Sequence, residues 1–233
     1  MNTPNSFSRR RVLMQWSALG AFGPAGLSAL IQDALAKGDM PAAPGIYDLS
    51  GTATVNGMAA KTGTMVKPGD KVATGPKSHA VVVLGQDAYL LRAGTNVTFE
   101  ADRSQSDLLS SVLITTGKVL SVFAKRSKKE VSIKAPNATI GIRGTGAYIE
   151  VHEGRSYFCL CYGTAEVGGA GLVENRSFTT KHHESPVWLD DRGGKLKIDP
   201  APMLEHTDAE LIMLEKLSGR EPPFVASGLA GRY

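Results

Sequence analysis

Cys159-Leu160-Cys161 is the segment best equipped to do chemistry. It lies in a run, Ser156 to Tyr162, that reads as a β-strand. Side chains two apart on a strand share a face. The two thiols are therefore expected to point the same way as Tyr157, with Phe158, Leu160 and Tyr162 opposite. A disulfide across this spacing is awkward, because Cβ atoms two apart on an extended strand lie roughly 6–7 Å from each other and a bridge needs about 3.8 Å. Two thiolates can instead converge on one metal ion if other elements supply further ligands. His182, His183 and His206 are the nearest candidates in sequence, with His152 and His79 behind them. In a regular strand His182 and His183 would face opposite sides, so one of them is expected at the site. A Cys/Cys/His/His set suits zinc or copper.

Other chemistries of the pair stand beside metal binding. The cysteines can be inert and buried, or joined in a strained or intermolecular disulfide. A redox-active pair usually has a helix N-terminus that lowers one thiol pKa, and none is evident here. Covalent haem attachment requires a Cys-x-x-Cys-His run, which is missing. The chain also has no Gly-x-Ser-x-Gly, no His-Glu-x-x-His and no phosphate-cradling glycine loop. No catalytic residues are therefore assigned, and a non-enzymatic protein is expected.

The elements that must position these residues read as mainly β. Asn56-Gly57 and Lys67-Pro68-Gly69-Asp70 are turn signals. Between such turns run short β-branched segments: His79 to Leu84, Ala88 to Arg92, Asn96 to Glu100, Lys118 to Phe123 and Glu130 to Lys134. Many short strands so spaced predict a sandwich or β-roll. Gln105 to Thr115 is ambiguous, with apolar residues at helical spacing but a β-hairpin around Gly117 nearly as good. Ala147 to Val151 is expected to pair with Ser156 to Cys161 across His152-Glu153-Gly154-Arg155. Near the end, Thr207 and Glu210 form a capping box ahead of the stripe Leu211, Leu214, Leu217, and Gly219 can stop the helix. That helix is expected to dock on the sheet.

The first residues read as an address. Ser8-Arg9-Arg10-Arg11-Val12-Leu13-Met14 has the pattern of a twin-arginine export signal. A weakly apolar stretch and Ala34-Leu35-Ala36, a small-x-small cleavage site, come after it. The uncharged run from Val12 to Ile31 is long enough to span a bilayer, but Gly20, Gly23, Pro24, Gly26 and two serines dilute it. Periplasmic delivery with cleavage is expected; the alternative is an N-terminal anchor facing the periplasm. Membrane contact arises only from an uncleaved signal. Loss of residues 1–36 removes three arginines and one aspartate and lowers the net charge from +4 to +2. Such a balance gives no electrostatic case for nucleic acid. The expected organisation is a signal peptide at 1–36, a linker or leading arm at 37–52, a β domain at 53–200 and a C-terminal helix and tail at 201–233.

Ala135-Pro136-Asn137-Ala138-Thr139-Ile140-Gly141-Ile142-Arg143-Gly144-Thr145 resembles the hallmark of the FecR-domain family. Upstream, Met65 to Gly75 is similar to the family's entry segment, with Gly69-Asp70, Val72 and Thr74-Gly75 at the matching positions. The resemblance covers roughly residues 60–167 and implies a β domain that binds, senses or scaffolds at the cell envelope. Its partner would be an envelope protein or cell-wall component. Family regulators carry a cytoplasmic sigma-binding region ahead of a membrane span. Only seven residues precede Ser8 here, so a stand-alone periplasmic version is expected. Independently of the resemblance, Gly141, Gly144 and Gly146 predict a tight crossing, since glycine weakens a strand unless a bulge or close backbone contact needs it.

Overall fold

The computed structural model describes residues 25–37, 42–126 and 130–231. The arginine run at 9–11 and residues 127–129 lie outside the described residues. A first helix, α1 (Ala25–Lys37), precedes β1 (Gly45–Ser50), β2 (Ala53–Val55), β3 (Met58–Ala59), β4 (Lys71–Thr74), β5 (His79–Leu84), β6 (Asp87–Leu91) and β7 (Asn96–Ala101). Then come β8 (Leu109–Val122), β9 (Val131–Ala135), β10 (Ala138–His152), β11 (Arg155–Gly168), β12 (Arg176–Thr180), β13 (Val187–Asp190) and β14 (Lys197–Pro200). Two helices, α2 (Asp208–Leu217) and α3 (Pro223–Ala226), close the chain.

The expected class holds: the protein is mainly β, with C-terminal helices packed on the strands. The strands make one open sheet rather than a closed barrel. Among the described residues its pairings are antiparallel except β8 with β9. Its spine is β8, β10 and β11, with β10 bonded to both neighbours. The ambiguous segment around Leu109 is strand, and β8 runs straight through Gly117 instead of turning there. Gly117 has φ +89°, and a Cβ on it would lie 2.4 Å from Thr95 Cα, so glycine lets β8 kink against the residue just past the Gly94 turn.

The β10–β11 hairpin pairs Tyr148 with Cys159 and Val151 with Ser156, across the expected turn. Its far end carries the predicted glycine crossing. The register shifts between Arg143 and Gly146, and again between Gly146 and Ala147. A Cβ on Gly146 would sit 2.4 Å from the Tyr162 ring, so the bare backbone there makes room for that ring. Arg143, beside the crossing, forms an ion pair with Glu130.

Two apolar clusters flank the spine. Phe158 and Leu160 belong to one, with Val82, Tyr89 and Phe99. Tyr157, Cys159 and Cys161 belong to the other, which α2 covers with Leu211, Met213, Leu214 and Leu217. Thr207 caps α2 through the reciprocal Thr207–Glu210 box, as its sequence predicts. The tail beyond Gly219 seats Phe224 in the same cluster.

At the other end of the chain, residues 45–50 of the expected leading arm form β1, which pairs with β5. The helix α1, inside the segment read as export signal, packs on the same cluster and buries Ala34 completely. No helix among the described residues is long and apolar enough to cross a membrane.

Candidate metal centre

β11 delivers the two cysteines, and a bulge sets their geometry. Gly146 pairs with Tyr162 and Ala147 with Leu160, which leaves Cys161 as the extra residue. A bulge breaks the strict alternation of a strand and bends it. Tyr162, expected opposite the thiols, therefore joins them on the α2 side. Both cysteines are fully buried free thiols.

The histidine pair arrives from a bend, not a strand. β12 pairs with β11 up to Thr180 opposite Gly163, and the chain then turns back. The backbone N–H of His183 donates to the Cys161 carbonyl at 2.9 Å. His183 adopts φ +51°, a left-handed conformation that non-glycine residues rarely take. The turn buries both histidines, with their ring centroids 4.8 Å apart. The expectation that they face opposite sides assumed a regular strand and is corrected by this bend.

His206 comes from the approach to α2. Its Nδ1 lies against the Leu204 carbonyl, which orients Nε2 to within 3.1 Å of His183 Nδ1. The Tyr148 ring stacks on the imidazole, with centroids 4.4 Å apart. His183 Nδ1 in turn lies 3.6 Å from Cys159 Sγ.

Cys159, Cys161, His183 and His206 thus offer four buried donor atoms, all within 4.8 Å of one another. Tetrahedral zinc with sulfur at about 2.3 Å and nitrogen near 2.05 Å places its ligands about 3.3–3.8 Å apart. The 3.6 Å and 3.1 Å separations are close to those edges without rearrangement. The four residues can chelate a metal ion.

Asp208, in the first turn of α2, completes the surroundings. Its Oδ1 lies 3.3 Å from His183 Nε2 and 2.8 Å from His182 Nε2. A carboxylate on the far nitrogen of a histidine fixes its tautomer and leaves the other nitrogen's lone pair for a metal. His182 therefore sits beyond Asp208, in a second group with His183 and Asp208 rather than with the thiols. His79 and His152 lie elsewhere, paired with Asp48 and Glu150.

The thiols are electrostatically unequal. A hydrogen bond from Cys161 holds the Cys159 pKa well below the usual thiol range, with His183 and His206 adding to the effect against the opposing burial. Burial pushes the Cys161 thiol up, and its contact with Cys159 pushes it further. Of the two thiols, Cys159 is therefore the one that ionises more readily. A thiolate is the form that binds metals.

Sequence reasoning did not single out Asp208, Tyr148 or Met203, whose Sδ lies 3.8 Å from Cys159 Sγ. Only Asp208 left a signal: an acidic residue two positions after His206, read there as part of a helix start.

Residues 70–166 match the family model described as FecR protein, so a FecR-domain-like region is present. The match includes Cys159 and Cys161 and stops before His183, His206 and Asp208. Two crystal structures of a candidate anti-sigma factor from Parabacteroides distasonis are similar at 12% identity and a TM-score of 0.45. One alignment covers 56% of this chain and 59% of that one; the other covers 69% and 65%. The chain thus spans about three fifths of the length of the structures it matches. No curated protein matches it.

Proposed function

We propose that this chain is a non-catalytic, envelope-associated domain that senses or scaffolds through its FecR-like region. The match over residues 70–166 carries this reading. FecR-type domains are regulatory rather than catalytic. The export motif at Ser8 to Met14 supports delivery to the periplasm by the twin-arginine route, with residues 1–36 as signal, 37–52 as a leading arm whose residues 45–50 add β1 to the sheet, 53–200 as the rest of the β domain and 201–233 as helix and tail. An envelope protein or cell-wall component is the expected partner, and the near-neutral body argues against nucleic acid. Arg9→Lys with Arg10→Lys tests the location. In the native host the variant is expected in the cytoplasm and the parent in the periplasmic fraction; equal export of both overturns the route.

The site favours a second reading of what the domain responds to. In it, Cys159, Cys161, His183 and His206 bind zinc or copper, and His182 supports Asp208 from outside. The juxtaposition of four buried donors from three parts of the chain carries this reading. Elemental analysis of protein exported in its native host is expected to give one metal ion per chain. Metal-free protein with two freely titratable thiols overturns it.

A further inference from the structure

We propose that the metal centre is a closed zinc latch that fastens residues 201–231 onto the sheet, an inference that rests on the metal reading above. The donors belong to two bodies of the chain. Cys159 and Cys161 lie on β11, between β10 and β13 in the sheet, and His183 hangs from its carbonyl ladder. His206 belongs to the segment that crosses from β14 to α2. One ion held by all four would join the two bodies by coordinate bonds.

Asp208 extends the connection. Its Oδ1 faces His183 and His182, and its Oδ2 accepts the Gly231 backbone N–H at 2.8 Å. One buried carboxylate therefore links a metal ligand, the start of α2 and the end of the tail. A metal that fixes His183 fixes Asp208, and with it both ends of the C-terminal segment.

The backbone points the same way. His183 has φ +51° and Glu205, beside His206, has φ +27°. Left-handed non-glycine residues are strained and persist where surrounding structure over-determines them. Here they lie at or beside the two histidine donors, where ligation supplies that determination.

Four protein donors leave no open position, and Cys159, Cys161, His183 and His206 are all buried. Closed four-coordinate sites of thiolates and imidazoles are the structural type of zinc site. The apolar face of α2, the Arg92–Glu210 ion pair and the hydrogen bond that Tyr162 donates to Glu215 also hold the segment, so metal loss should loosen it rather than unfold the sheet.

Hydrogen exchange on the full purified chain tests the latch. The reduced, metal-free protein is compared with the same protein after one equivalent of Zn(II). Binding is read in parallel with a chromophoric chelator. Amide exchange across 201–231 is expected to slow at least tenfold, while β2, β3 and β4, at the edge of the sheet away from the segment, change little. His206→Asn, compared in the same way, is expected to lose the slowing. If zinc binds one to one and 201–231 exchanges as before, or every region slows equally, the latch is wrong and the metal reading stands. If no zinc binds, the metal reading fails and the latch fails with it. Slowing by Cu(I) but not Zn(II) overturns the zinc assignment.

Discussion

Cys159→Ser is expected to weaken Zn(II) binding by more than 100-fold, and Asp208→Asn by roughly 10–100-fold. The difference comes from position. Cys159 supplies a donor atom, and its sulfur already lies 3.6 Å from the next donor, His183 Nδ1. A serine hydroxyl is a poor, neutral replacement for a thiolate on a thiophilic ion. Asp208 acts through the far nitrogen of His183, 3.3 Å from its Oδ1. Its amide keeps the shape but withdraws the negative charge that favours the correct tautomer. His183→Gln should fall with Cys159→Ser, and His182→Gln with Asp208→Asn or below it. Competition with a chromophoric chelator measures all four on one scale. Equal zinc affinity for Cys159→Ser and the parent would place the metal elsewhere.

Zinc is also expected to stabilise the fold strongly. A ligand present at about 1,000 times its dissociation constant, and bound only by the native state, adds about 4 kcal/mol. For a domain of this size about 1 kcal/mol moves Tm by roughly 2–4 °C, so a rise of roughly 8–16 °C is expected. The native site is the only arrangement that gathers the four donors, because they come from β11, the bend after β12 and the approach to α2. The unfolded chain keeps only the Cys159-x-Cys161 pair together and holds zinc weakly. Calorimetric melting of reduced protein with and without zinc measures the effect, with Cys159→Ser as the control whose rise should fall to about a third or less. A parent whose Tm ignores saturating zinc would contradict the site.

The sequence made the strand content and the capped helix legible because their signals are local. Thr207 and Glu210 cap α2 through contacts three residues apart, and the Glu153-Gly154 turn needs nothing from outside its hairpin. The same locality made Cys159 and Cys161 readable as neighbours on one face. Its limit shows at Tyr162. That side chain changes sides because Cys161 is bulged, and the bulge answers to the glycine crossing on the partner strand. Strand period cannot anticipate a register shift that another strand imposes. The setting of His182 and His183 was hidden in the same way, although only one of the two groups with the thiols. Alternation predicts opposite faces, but the chain leaves β12 at Thr180 and enters a left-handed turn held by the Cys161 carbonyl. Asp208 was legible only as a helix-favouring first-turn acid, since nothing local says that two buried histidines face it. Gly117 reads as a hairpin turn because glycine marks turns more often than it marks a kink inside a long strand. Its true demand comes from Thr95 across the sheet.

The FecR-like match and the site overlap only in part, which bears on how the centre arose in this chain. Cys159 and Cys161 fall inside residues 70–166, whereas His183, His206 and Asp208 lie C-terminal to that region. The four donors therefore come from the FecR-like strand β11, the bend after β12 and the approach to α2, and none of these parts holds a full donor set alone.

X-ray absorption at the zinc edge of the one-to-one complex tests that centre most directly. The expected result is a four-coordinate ion with two sulfurs at about 2.3 Å and two imidazole nitrogens at about 2.0–2.1 Å. A shell of oxygen and nitrogen without sulfur, or with a single sulfur, would contradict it.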